Sequence, residues 1–411
     1  MSAEDPAEAE DVPGSAEEAE GGPHLWLNWQ GEQVGQPARE SSDGETNQVH
    51  PLWEERALYS DAAIVGELEF GPFSLLMTLS GGGQVGRPLQ VQVFRHHDHL
   101  FERPPGQMRE ELDLSGWTGG DIGEQLAALL SLALGRRLRS GGVVRQGFEP
   151  GDPLGRPLAS SHRVPALVEP PRTPILPGIT EPAKVGDAAS LLEPYGRLSG
   201  ADAAALTRAA GQYADALWWA DGDPRIAWIK LVGALEVAAN RWDRAGVGDP
   251  VELLKRHRGR LYGRLKKVDL KAVEIVAEEL AHTLNVERKL LAFSMRYLPD
   301  PPERRPSMAQ VDFHDLEPAL SQIYEWRSQD LHEGIPFPPP LCEPPIADGD
   351  VAMERFPALG VEGQGGYWPA ESLPMYLHVF AHIVRGALCN WWKDLPTPGP
   401  PEAEGTAERD A

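Results

Sequence analysis

Cysteine is nearly absent: Cys342 and Cys389 are the only two in 411 residues, and neither belongs to a CxxC pair. A zinc ribbon is excluded, and a reducing, cytoplasmic compartment is the expected setting. Basic residues are also scarce, 38 against 62 acidic ones, for a formal net charge of −24. That balance argues against a general nucleic-acid coat, so any RNA contact must depend on a local basic patch. No Lys or Arg precedes Arg39, and the N-terminus therefore lacks the regions of a secretory signal. Long apolar runs are missing too. The longest, Leu126 to Leu134, contains Ser131 and is too short to cross a bilayer, so it reads as a core helix and no membrane partner is expected. There is no G-x-S-x-G nucleophile elbow, no Walker loop, no DNA-specific motif and no internal repeat. No cofactor is indicated.

What is present divides the chain. Residues 1–50 are rich in Glu, Ala, Gly, Pro and Ser, and they are expected to be disordered because they bury too little apolar surface to offset ordering entropy. The tail 396–411 has the same character. From 51 to 160 the texture is that of a small α+β domain. Strands are expected over Ala63–Phe70, Phe73–Leu79 and Leu89–Phe94, a helix from Asp121 to Gly135, and a strand near Val143. Residues 161–185 hold Pro165, Pro170, Pro171, Pro174 and Pro177 and read as an extended linker lying on a neighbouring surface. Helical patterns then dominate 186–395, at roughly 187–219, 224–244, 249–267, 269–298, 314–333 and 371–394. Such a series joined by short breaks implies a helical bundle.

The chemistry concentrates in Tyr324 to Pro338. Leu320, Tyr324, Arg327 and Leu331 follow the three-and-four spacing of one helix face, so a guanidinium lies on an apolar stripe. An unpaired buried charge is too costly to keep, so Arg327 must be paired or must face a cleft or interface. His332 falls in the last turn, with Gly334 and Pro336 supplying the stop. A permanent cation and a group titrating near neutrality at one helix end suit phosphodiester chemistry without a metal. Positions five apart on an ideal helix point about 140° from each other, so convergence of Arg327 and His332 needs a distorted turn or a second chain. Ser328 and Asp330 can orient the His or the substrate, or simply be solvated. Glu236 is the only charged residue between Lys230 and Arg241. In such surroundings a carboxylate is protonated or paired, and Arg327 is the obvious partner.

Trp228 to Glu236 in an early helix and Ile323 to Pro338 in a late one resemble the HEPN superfamily, in particular its ApeA-like branch. The resemblance covers 187–395. It makes the expected fold an α+β N-terminal domain followed by an all-α HEPN-like helical bundle. It implies a metal-independent endoribonuclease, with the Arg and His of two protomers meeting across a homodimer interface, in stress response or defence against phage. His332 would move the proton and Arg327 would hold the phosphate. The alternative is a noncatalytic binding module in which Arg327 and Glu236 only brace two helices.

For RNA, the candidate surface is one predicted helix carrying Lys255, Arg256, His257, Arg258, Arg260, Arg264, Lys266 and Lys267. A solvated face pairing with the acidic termini explains the same run. Gly81 to Gly86 satisfies G-x-G-x-x-G but opens a strand, so a dinucleotide site is not expected. His96, His97, Asp98 and His99 alternate across a strand and read as a polar strand end. His378 and His382 lack a third ligand and read as packing or surface residues.

Overall fold

The computed structural model describes residues 22–33, 53–77, 89–97, 116–147, 154–158, 173–243, 249–363 and 366–397, with the backbone alone at 31–33, 89–97, 257 and 282–284. The first element corrects the expectation of disorder over 1–50. Helix α1 (His24–Gln33) is ordered because Leu25, Trp26 and Trp29 form an apolar burst within an acidic segment, and all three are buried. The remainder of 1–50, and 398–411, lie outside the described residues.

A six-stranded sheet follows, in the order β3-β4-β5-β1-β6-β7. Its strands are β1 (Trp53–Ser60), β3 (Leu68–Phe70), β4 (Phe73–Met77), β5 (Leu89–His97), β6 (Arg139–Gly147) and β7 (Arg156–Pro157), and all its pairings are antiparallel. The expected strands near 73–79, 89–94 and 143 are present with shifted ends, whereas the one expected over 63–70 is broken at Gly66 (φ 93°) into two short strands in different sheets. A separate short strand, β2 (Ile64–Val65), leaves this sheet to pair in parallel with β8 (Ala183–Lys184). Central strand β1 was not foreseen. Its sequence Trp-Glu-Glu-Arg does not alternate apolar and polar residues, and ion pairs hold that half in place. Arg56 meets Asp121 at 2.6 Å and Glu54 at 3.1 Å, and Arg145 meets Glu55 at 3.3 Å.

Helix α2 (Ile122–Leu134) matches its expected bounds for a local reason. Asp121 and Glu124 form a capping box, and Gly135 takes the left-handed conformation (φ 64°) that ends the helix. Every residue of α2 except Glu124 is buried. Arg385, from the last helix, donates to the terminal carbonyls of Leu132 (2.9 Å) and Ala133.

The helical part comprises α3 (Ala189–Leu192), α4 (Gly200–Trp219), α5 (Pro224–Trp242), α6 (Pro250–His257), α7 (Gly259–Leu265), α8 (Leu270–Arg296), α9 (Glu317–Glu333) and α10 (Leu377–Asp394). Three expectations change here. The 187–219 helix is broken before Gly200, because Pro194 and the Ser199 cap start α4 afresh. The 249–267 helix is two helices, because Arg258 leaves helical geometry (φ −135°, ψ 47°). The bundle is also not purely helical: two hairpins, β9–β10 (Ala347–Asp348, Val351–Ala352) and β11–β12 (Gly360–Gly363, Gly366–Pro369), lie between α9 and α10.

Nor do the sheet region and the bundle have separate cores. One apolar cluster runs from Leu25 through α2 and α4 to Leu395. Arg137 is 2% exposed and joins the two regions, donating to Asp61 at 2.8 Å, to Asp221, and to the Leu217 carbonyl at 2.8 Å. The second half of the expected linker belongs to this core, with Ile175, Leu176 and Ile179 buried. Residues 159–172 lie outside the described residues. A second, smaller core is formed by Leu253, Leu254, Val273 and Ala277, so α6, α7 and the start of α8 form an arm with packing of its own.

Candidate functional site

The expected pairing of Glu236 with Arg327 is present. Nη2 of Arg327 on α9 donates to Oε2 of Glu236 on α5 at 2.6 Å, and the two side chains are 18% and 14% exposed. Burial pushes the Glu236 carboxyl above its usual value, and the Arg327 charge opposes that shift. Nε of Arg327 is buried without a hydrogen-bond partner among the described residues. Beside the pair, the Tyr324 phenol is pushed up to about 12 by burial and by the Glu236 charge.

The rest of the motif is arranged differently from the sequence expectation. Asp330 is buried rather than solvated, and it takes a bidentate contact from Arg225: Nε to Oδ2 and Nη2 to Oδ1, both at 2.5 Å. Asp330 therefore braces α9 against the first turn of α5. Arg225 was missed by sequence reasoning, although a clue exists. A cation just after Pro224 opposes the helix dipole, so it calls for a carboxylate nearby. Leu331 is 48% exposed and leaves the expected stripe. The buried face is instead Leu320, Ile323, Tyr324 and Asp330, with Arg327 half-buried.

His332 is exposed in the last turn of α9, and Gly334 (φ 69°) stops the helix as expected. Ser328 is half-buried and makes no side-chain hydrogen bond among the described residues. Arg327 and His332 thus do not come together within one chain: one guanidinium faces α5 and one imidazole faces outward.

The expected basic helix proves to be the arm. Lys255 pairs with Glu252 and Arg256 with Glu317, both at 3.1 Å. Arg258 lies at the break between α6 and α7, where its charge acts on the Tyr324 phenol. Arg260, Arg264, Lys266 and Lys267 are exposed, and no carboxylate among the described residues pairs with them. The Arg256 and Glu317 pair therefore ties the arm to the start of α9, which the sequence did not disclose.

Gly81 to Gly86, Asp98 and His99 lie outside the described residues. His96 and His97 end β5, opposite Glu54 and Trp53. His378 is held down to about 4 by burial, and its Nδ1 has no partner among the described residues. Nε2 of His382 is 2.9 Å from the Asp300 carbonyl. Among the described residues no three His, Cys, Asp or Glu side chains cluster as metal ligands do. Among those residues, too, no helix is long and apolar enough to cross a membrane. Burial pushes the Cys342 thiol up to about 12, which suits a packed thiol rather than a nucleophile. No family model, curated protein or solved structure matches the chain.

Proposed function

We propose that this chain is an RNA-directed protein that cleaves its substrate by acid–base chemistry at the end of α9. In this reading it acts as a homodimer of the HEPN kind, in its ApeA-like branch. His332 takes the 2′-hydroxyl proton or protonates the leaving oxygen, Arg327 stabilises the phosphate, and Ser328 adds a hydroxyl beside them. The arm cations Arg260, Arg264, Lys266 and Lys267 track the RNA backbone. The observation carrying this reading is the exposed, uncommitted His332, five residues beyond a guanidinium that Glu236 holds in place, together with an arm of exposed cations whose Arg256 pairs with Glu317 at the start of the same helix. Stress response or antiphage defence is the setting that the resemblance suggests.

The test is incubation of the purified chain with total RNA in EDTA, followed by mapping of the new ends. Cleavage leaving 2′,3′-cyclic phosphates, abolished by His332→Ala, is expected. Activity that needs a divalent ion, or that survives His332→Ala, would sink the mechanism. A second reading rests on a specific observation: Glu236 neutralises Arg327, and Asp330 is spent on Arg225. On that reading α9 is braced by two ion pairs, and the chain binds RNA or a partner without cutting. RNA binding that depends on the arm cations, with intact RNA recovered, is its signature.

A further inference from the structure

Helix α4 carries a glycine, Gly211, in its interior, where glycine weakens a helix. A Cβ built there meets nothing within 4 Å, so packing does not demand the glycine. The open space is a cleft of about 590 Å³, bounded by one face of α4, by Ala127 and Ala128 of α2, by Val237 of α5 and by Arg139 at the start of β6. A cleft of that size suits a small organic ligand.

Its polar groups are unevenly committed. The Arg139 guanidinium lies 5.0 Å from the Trp218 ring centroid, and its closest carboxylate, Asp215, is 3.7 Å away, beyond hydrogen-bonding distance. The Arg139 guanidinium donates no hydrogen bond among the described residues, so a planar fork of donors stands 42% exposed at the cleft wall. Asp215 is bound at 3.0 Å by Lys230, so the trio of Arg139, Asp215 and Lys230 carries one net positive charge. On the adjoining turn of α4, the Gln212 amide makes no hydrogen bond among the described residues. The other charged lining groups have partners: Arg208 donates to the Trp117 carbonyl at 2.8 Å, and Glu124 accepts from the Asp121 amide at 2.9 Å.

One uncancelled positive charge matches a monoanion, a flat guanidinium fork matches a carboxylate, and the Ala, Val and Trp walls match an apolar body. We propose that this cleft binds a small organic monocarboxylate, its carboxylate on Arg139 and Gln212 and its apolar body lying over Gly211 between α2 and α4. The proposal is independent of the RNA reading.

Titration calorimetry of the full chain with octanoate and with 1-naphthoate tests it, with 1-octanol, octylammonium and inorganic phosphate as controls. Saturable one-to-one binding of at least one acid at millimolar concentration is expected, with none of the controls. Arg139→Gln should weaken it by at least about tenfold, the loss of one charge-assisted contact. Gly211→Leu should abolish it while leaving the melting temperature unchanged or higher, because leucine enters open space and is the better helix former. Absence of binding by both acids, binding of octanol equal to that of octanoate, or binding unaffected by both substitutions would overturn the proposal.

Discussion

The brace between Arg225 and Asp330 should respond asymmetrically to truncation. The Asp330 side chain is 1% exposed and that of Arg225 is 46% exposed. Arg225→Met leaves a carboxylate sealed against α5 with nothing to compensate it, which costs about 3–5 kcal/mol for a buried pair broken on one side. Asp330→Asn keeps the shape and an acceptor, and the guanidinium it releases already reaches water, so solvent screening reduces the loss to roughly 1 kcal/mol. The double change Arg225→Met with Asp330→Leu removes both charges and should cost less than Arg225→Met alone. Urea denaturation midpoints, converted with a common m-value, measure all three. The reasoning fails if Asp330→Asn costs as much as Arg225→Met, or if the double variant is the least stable of the set.

Four further outcomes are expected. Burial raises the folded-state carboxyl of Glu236, so the contribution that this group makes is fully present below its unfolded value and is lost as pH rises through the raised folded one. The stability of the wild type relative to Glu236→Gln should therefore fall as pH rises from the ordinary carboxylate range through the raised folded value in paired urea melts; a rise instead would show the Arg327 charge outweighing burial. Gly71→Ala should dislodge α1, because φ is 47° there and a Cβ would lie 2.2 Å from the Trp29 ring, and faster proteolysis near Gln33 would report it. Gly334→Ala forces alanine into left-handed geometry at the end of α9 and should cost about 1 kcal/mol in the same melts. If two protomers share the site, mixing Arg327→Ala with His332→Ala chains should restore one composite site and part of the cleavage, whereas a monomer at micromolar concentration in analytical ultracentrifugation would reject that arrangement.

How much was legible depended on the range of the forces involved. The α2 helix could be read almost to the residue, because Asp121, Glu124 and Gly135 act within a turn of the ends they fix. The stop of α9 at Gly334 was readable for the same reason. The Glu236 and Arg327 pair was readable because each was a lone charge on an apolar face, and the cost of leaving either unpaired limits the choices. Helix α1 escaped notice because three large apolar residues were averaged into an acidic segment. Strand β1 escaped because ion pairs to a neighbouring strand and to the α2 cap replaced the alternation that marks a strand.

By itself the sequence determined an α+β stretch ahead of a largely helical one, the capped ends of α2 and α9, and the cation and imidazole placed late on α9. Each of these follows from local geometry or from the cost of an isolated charge. Only the tertiary structure decided that the two regions share one core, and that Asp330 finds Arg225 across 105 residues and is buried. It alone decided that the basic run breaks at Arg258 into an arm tied to the start of α9 by Arg256 and Glu317, and that α4 borders a cleft at Gly211. Contacts between residues far apart in the chain depend on which surfaces the helices turn toward each other, and packing of the whole core settles that orientation where no short stretch of residues can.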